Sequence, residues 1–328
     1  MLTPKENYLK AMRAQTPEYL PNQFMDCNYM VPMIFIERYD EMESGYDGFG
    51  VHWTYVEDVC APMTTPGKVL CDDITDWKNQ ITIPDLDSYD WEFYSTRALE
   101  HCDEENKVNY CMNINGMFER LHACIGMQEA LCSLITDEDA VIDFVNAVAD
   151  HKIRFMEKCK KYYHGEIFNM HDDYGANDRT FMSLETWRKI FKKPLSRIVE
   201  ACHDLGMLYE HHSCGYIEPF VDDFVEMGMD AVNTWQWPTN KNVRAIKDKY
   251  QDRLCFIGGM DSQGVLDRED ATDEEWEAEI RRAIDLLAPG GSYIPFPITL
   301  GINFMSVYLP LMETYGKTYY KEHPEAVR

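Results

Sequence analysis

Met207-Leu208-Tyr209-Glu210-His211-His212-Ser213-Cys214-Gly215 begins as an apolar run and ends in a polar turn, and Tyr216-Ile217-Glu218-Pro219 opens a helical pattern directly behind it. A strand that feeds a helix through a short polar turn is one βα unit. Along a strand, residues two apart share a face, so His212 and Cys214 point the same way. An imidazole and a thiolate on one face are two ligands of a zinc site. Two donors do not close a tetrahedral ion, however, and single Cys and His residues are common in cores.

The same unit recurs on both sides of this stretch. Short apolar runs at 110–114, 165–170, 207–211, 230–234, 254–257 and 292–296 alternate with helical patterns at 126–134, 137–163, 183–205, 216–228, 242–250 and 273–287. Thr136 before Asp137-Glu138 reads as an N-cap with early acids, and Gly206 and Gly228 read as C-terminal stops. A series of right-handed crossovers of this length favours a (β/α)8 TIM barrel, with the first two strands near 23–28 and 50–55 in an irregular N-terminal extension. No repeat or low-complexity linker divides the chain, so residues 1–328 read as one domain.

Composition narrows the function. The balance of 31 Lys+Arg against 57 Asp+Glu gives a net charge of −26 over 328 residues. That field repels phosphate backbones and anionic headgroups, so neither nucleic acid nor a membrane surface is an expected partner. The start, Met1 to Asn7, reads as a charged amphipathic helix rather than a signal peptide. The longest apolar run, 29–36, is interrupted by Pro32 and too short for a bilayer. Eleven cysteines without C-x-x-C pairing, together with 19 Met, suit a reducing compartment, so a soluble cytoplasmic protein is the expectation.

In a barrel the active site lies at the C-terminal ends of the strands. The residues that fall there are polar: Asn113 and Asn115; His171 to Tyr174; His211 to Cys214; Asn233 to Gln236; Gly258 to Asp261. Taken singly, Asp172 or Asp261 is equally explained by capping a helix, and the asparagines by holding turns. Five such sets on one rim point to a site.

The residues Asp172-Asp173-Tyr174-Gly175, Ser183-Leu184-Glu185-Thr186-Trp187, Pro194, His212-Ser213-Cys214-Gly215, Met227-Gly228-Met229-Asp230, Gln236 and Gly258-Gly259-Met260-Asp261 together resemble the uroporphyrinogen decarboxylase superfamily. Within it the likeness is to the corrinoid-dependent methyltransferases, and it extends from Pro4 to Tyr315. It implies a (β/α)8 barrel with its site at the mouth. The true decarboxylases carry an N-terminal R-Q-A-G-R-Y segment that grips porphyrinogen carboxylates. Here Pro21 to Tyr29 holds no Arg and includes Asp26, so decarboxylation of a porphyrinogen is not expected.

In the methylcobalamin:coenzyme M members of that group, His-x-Cys supplies two zinc ligands and a Cys after the last strand supplies a third. His212 and Cys214 match, but no Cys follows Cys255 and the last loop reads Pro295-Phe296-Pro297-Ile298-Thr299-Leu300-Gly301. The third ligand stays open between an oxygen of Asp172, Asp173 or Glu185, recruitment of Cys255, and a weakly held metal. His211 is expected on the opposite face of its strand, as a packing residue.

The resemblance further implies methyl transfer between a small methylated substrate, an aryl methyl ether in the case of an O-demethylase, and a corrinoid. The chain has no D-x-H-x-x-G cobalamin motif, so the corrinoid belongs to a separate partner protein. Asp173 and Tyr174 are expected as catalytic groups, Tyr174 as a general acid. Asn115, Asp172, Gln236 and Asp261 are expected to bind substrate. Tyr29, Phe49, Trp53, Tyr174, Trp235, Trp237, Tyr293 and Phe296 are expected to line an apolar pocket. Two alternatives remain: a lyase acting on a smaller carboxylic acid, with Arg120 and Arg179 as its grips, and a non-catalytic barrel that binds a corrinoid or tetrapyrrole.

Overall fold

The computed structural model describes residues 2–32, 35–39, 43–57, 61–299 and 301–328. Met33 and Ile34 of the longest apolar run, Cys60, and Leu300 of the last loop lie outside them. The strands, in chain order, are β1 (Cys27–Met30), β2 (Gly45–Tyr46), β3 (His52–Val56), β4 (Ala61–Thr64), β5 (Val108–Asn113), β6 (Ile167–His171), β7 (Leu208–His212), β8 (Ala231–Asn233), β9 (Cys255–Ile257) and β10 (Tyr293–Ile294). β1 and β5 to β10 form one sheet in that order, and every neighbouring pair is parallel.

Strands buried on both faces read as continuous apolar runs, and for that reason all six expected runs become strands of this sheet. The N-terminal expectations fare differently. Residues Gln23–Asp26 form a helical turn capped by Asn22, and β1 starts only at Cys27. The strand expected near 50–55 exists as β3 but pairs antiparallel with β2 and β4 in a separate three-stranded sheet. In β3 only Trp53 is fully buried, a pattern that suits a sheet with one wet face rather than a barrel stave.

The large sheet is curled. Cys27 of β1 and Ile294 of β10, its two end strands, share one buried cluster with Val108, Ile167, Ala231 and Cys255. A flat sheet cannot bring its first and last strands together. Tyr8, Ala11 and Met12 join the same cluster from the helix Pro4–Met12, which starts at a capping box between Thr3 and Glu6 and plugs the curl from below. Among the described residues β1 and β10 remain the sheet's two ends, and an eighth barrel strand is not among them.

The six expected helices all form. Boundaries differ: the helix expected over 216–228 covers only Glu218–Phe220 as a 3-10 turn and Val221–Glu226 as an α-helix, and Thr136 is the last residue of the helix Met127–Thr136, the next helix, Glu138–Tyr163, having Asp137 as N-cap without a side-chain cap. The Thr136 hydroxyl instead donates back to the Cys132 carbonyl at 3.2 Å, the usual competing bond for a threonine inside a helix. The helix Met117–Ile125 was not expected from the sequence. No helix among the described residues is long and apolar enough to cross a membrane.

Candidate metal centre

Because β6 and β7 are parallel and His171 pairs with His212 in register, the inward faces of the two strands read as adjacent columns. Ile167, Asn169, His171 and, past the strand end, Asp173 form one; Leu208, Glu210, His212 and Cys214 form the other. Ile167 and Leu208 belong to the apolar floor. The top of each column opens at the C-terminal ends of the strands, where such folds keep their chemistry.

There Asp173, His212 and Cys214 converge, with one donor atom of each within 4.8 Å of the others. His212 Nε2 lies 3.4 Å from Cys214 Sγ and 3.9 Å from Asp173 Oδ1. Ligands of a tetrahedral zinc ion stand about 3.3–3.8 Å apart when metal–ligand bonds are about 2.0–2.3 Å. Nitrogen, sulfur and oxygen donors at these separations fit zinc, a thiolate and a carboxylate cancel its charge, and three protein ligands leave a fourth position open.

The two turns that carry these ligands touch backbone to backbone. A Cβ on Gly215 would meet the Gly175 carbonyl oxygen at 2.2 Å, and one on Gly175 would meet the Tyr216 nitrogen at 2.5 Å. Only glycine fits at either place, which explains why both polar turns end in one. The Cys214 amide donates to Asp173 Oδ1 at 2.7 Å, so the ligand-bearing turns are also tied by a hydrogen bond.

Burial sets the charge states. It pushes the His212 imidazole down to about 4, with help from the positive charge of Arg38, so the ring is neutral, as a metal ligand must be. The His171 ring, likewise held well below its ordinary value by burial and by His212, stacks on His212 with centroids 3.7 Å apart and planes 5° apart. Burial raises the Cys214 thiol, and Asp173 raises it further. The Asp173 and Glu119 carboxyls are both raised, chiefly by burial and then by neighbouring carboxylates.

Of the expected site residues, the structure brings Asp173, His212 and Cys214 together. Asp172 and Tyr174 lie behind them. The fully buried Asp172 carboxylate accepts the Met117, Phe118 and Glu119 amides at 2.9, 3.2 and 2.9 Å, capping the helix Met117–Ile125. The Tyr174 hydroxyl donates to it at 2.7 Å. Asn115 donates to the Glu37 carbonyl, Asp261 accepts the Gly264 amide, and the main-chain carbonyl of Gln236 accepts from Asn240; these contacts lie outside the cluster. His211 packs on the outer face against Tyr174, centroids 5.4 Å apart. Cys255 is in the apolar floor and Glu185 is exposed on its helix.

Of the expected aromatic lining, Phe49, Trp53, Tyr174, Trp235 and Tyr293 are buried core residues, because rings of that size fill space between sheet and helices. A cavity of about 120 Å³ lies instead between the segment after β1 and the end of β5, lined by Val31, Phe35, Arg38, Met112, Ile114 and Phe155. Arg38 both lines this cavity and adds positive potential at Asp173, His212 and Cys214. Arg120 is fully buried, held by Asp47 at 2.6 Å and Glu37 at 2.9 Å, and Arg179 pairs on the surface with Asp178; neither reaches the cluster.

Sequence reasoning missed Glu119 and Arg38 as neighbours of the site. Glu119 Oε1 accepts the Asp173 amide at 3.3 Å, and its Oε2 is buried without a partner. Its signal was the polar strand end Asn113-Ile114-Asn115-Gly116 followed by the amphipathic run 117–125. His171, expected on the rim, is there and stacks on His212. Nothing in the irregular segment around Arg38 marks that residue.

A curled parallel α/β sheet with a carboxylate, an imidazole and a thiolate gathered at its C-terminal rim defines a barrel-type protein with a candidate metal centre. The profile of the family described as Uroporphyrinogen decarboxylase (URO-D) matches residues 46–297, and the chain belongs to that family. It is similar in fold to a solved methyltransferase from Methanosarcina mazei, with a TM-score of 0.72 and 12% sequence identity, covering 96% of this chain and 100% of that one. No curated protein sequence matches the chain.

Proposed function

We propose that the protein is a methyltransferase that moves a methyl group between a small methylated substrate and a corrinoid carried by a separate protein, with zinc at Asp173, His212 and Cys214. The observation that carries the reading is the convergence of those three donors at separations that suit a tetrahedral ion. The likeness in fold to a methyltransferase supports it.

Bound there, zinc supplies Lewis acidity to an oxygen or sulfur atom beside the methyl group. An oxygen ligand in place of a second thiolate leaves the ion more electrophilic, which favours an ether donor, such as an aryl methyl ether, over a thiol acceptor. The remaining work falls to the chain. His171 holds the His212 ring plane, and the Cys214 amide holds the Asp173 carboxylate. The apolar walls of the cavity beside Arg38 exclude water and receive the hydrocarbon part of the donor. The lyase alternative loses its carboxylate grips, since Arg120 is buried and paired.

The test is the metal content of anaerobically purified wild type beside Asp173→Ala, His212→Ala and Cys214→Ala. Near-stoichiometric zinc in the wild type, lost in all three variants, is the expected result and opens a screen of aryl methyl ethers with a cobalt(I) corrinoid protein. A wild type that stays metal-free when expressed with zinc overturns the reading.

A further inference from the structure

One layer below the three donors lies a polar group that the proposed reaction does not use. Glu210 is fully buried on the inward face of β7, two residues before His212. Its Oε1 accepts three hydrogen bonds: from the Tyr110 hydroxyl at 2.6 Å, from Asn233 Nδ2 at 2.8 Å and from Asn169 Nδ2 at 3.0 Å. A buried carboxyl above a floor of apolar side chains is costly, and a position that keeps one calls for a reason.

We infer that Glu210 and Asn233 are positioning residues that hold His212 in the tautomer with its proton on Nδ1 and its Nε2 bare for a metal. The inference rests on the reading of Asp173, His212 and Cys214 as a metal centre. A side-chain amide has one donor end and one acceptor end, and a neighbouring acceptor decides which way it faces. Glu210 Oε1 offers only acceptor capacity to Asn233, so the Asn233 NH2 turns toward Glu210 and its Oδ1 turns away. That oxygen is buried and has no hydrogen-bond partner. Asn233 is the register partner of His212 across β7 and β8, so its unpartnered oxygen sits on the strand beside the His212 ring.

The other end of the ring is committed. His212 Nε2 faces Cys214 Sγ at 3.4 Å and Asp173 Oδ1 at 3.9 Å, so Nδ1 is the nitrogen left for Asn233. The stack on His171 fixes the plane of the ring. The chain Glu210, Asn233, His212 is thus an acceptor, a relay amide and a ring whose proton is steered to the nitrogen that does not bind metal. Outer partners of this kind set ligand orientation and basicity.

The test uses the full-length protein labelled with ¹⁵N-histidine and kept metal-free, the His212 ring signals being assigned by their loss in His212→Gln. Wild type is expected to show a protonated Nδ1 and a bare Nε2 at His212. Asn233→Ala and Glu210→Leu are expected to show a mixture of tautomers and zinc affinity lower by about 10–100-fold in chelator competition. Glu210→Gln keeps an acceptor oxygen for the three donors and is expected to restore both readouts. If Glu210→Leu does not fold, Asn233→Ala leaves the carboxyl in place and tests the same link. An Nε2-protonated wild-type ring, or unchanged tautomer and affinity in a folded Asn233→Ala, overturns the inference. Failure of the wild type to bind zinc overturns the metal reading instead, and the ring signals of the metal-free protein still decide the tautomer.

Discussion

Asp172 and Asp173 are neighbours in the chain and face opposite sides of the sheet: Asp172 accepts the Met117 amide at 2.9 Å, outward, while Asp173 accepts the Cys214 amide at 2.7 Å, inward at the donor cluster. Two identical side chains are thereby given separable tasks. Asp173→Ala removes a metal donor and is expected to weaken zinc binding on the order of 100-fold while leaving the unfolding transition near that of the wild type. Competition with a chromophoric chelator measures the first quantity and urea unfolding of the metal-free protein the second. Zinc affinity unchanged by Asp173→Ala removes Asp173 from the ligand set.

Asp172→Ala is expected to do the reverse. It deprives three buried amides at the start of the helix Met117–Ile125 of their acceptor and should cost about 2 kcal/mol of stability. Zinc content should stay near the wild-type value once the protein is folded. A loss of metal as large as that of Asp173→Ala, measured in folded protein, assigns Asp172 to the centre instead of to the cap.

His211 and His212 form a second such pair. The His211 ring packs between Tyr174 and Phe224, with centroids 5.4 and 4.9 Å away. An aromatic of similar size should serve there, so His211→Phe is expected to retain zinc, whereas His212→Phe loses it. Equal loss in both variants contradicts the alternation of faces along β7.

These pairs show what sequence can and cannot deliver. Strands buried on both faces stand out as apolar runs, so six staves of the curled sheet were legible, and the period of two separated His211 from His212 and Cys214. The same period could not decide between Asp172 and Asp173, because it says only that they differ, and the register between β6 and β7 that turns Asp173 inward is a tertiary fact. β3 was legible as a strand but not as part of the small sheet. Glu119 comes to the site through the start of an amphipathic helix, whose period marks the helix but not what its first turn faces, and Arg38 through a connecting segment that carries no periodic signal.

The buried ion group around Arg120 makes a prediction of another kind. Its guanidinium touches Asp47 and Glu37 and lies 4.0 Å over the Phe49 ring, while Lys152 reaches Glu37 at 2.8 Å. Two acids and two bases balance inside the core. Arg120→Met leaves the two carboxylates with one cation and should cost about 3–5 kcal/mol, read as a shift in the urea midpoint. A change within experimental error means that the group is hydrated and not structural.

Stability should also depend on pH through Asp26. Burial raises its carboxyl from 3.8 to about 6, although the Asn22 amide and Lys317 pull the other way. Because the folded state holds this proton more tightly than the unfolded chain, the contribution is fully present below the unfolded value and is lost as pH rises through about 6. Asp26→Asn cannot ionise, and its side-chain oxygen can still accept the Asn22 amide that now donates to Oδ2 at 2.8 Å. The variant should match the wild type near pH 4 and exceed it at neutral pH by up to about 3 kcal/mol. Urea unfolding at the two pH values measures the difference. A variant less stable than the wild type at neutral pH shows that the ionised carboxylate is stabilising there, through Lys317 or another cation, and reverses the sign of the argument.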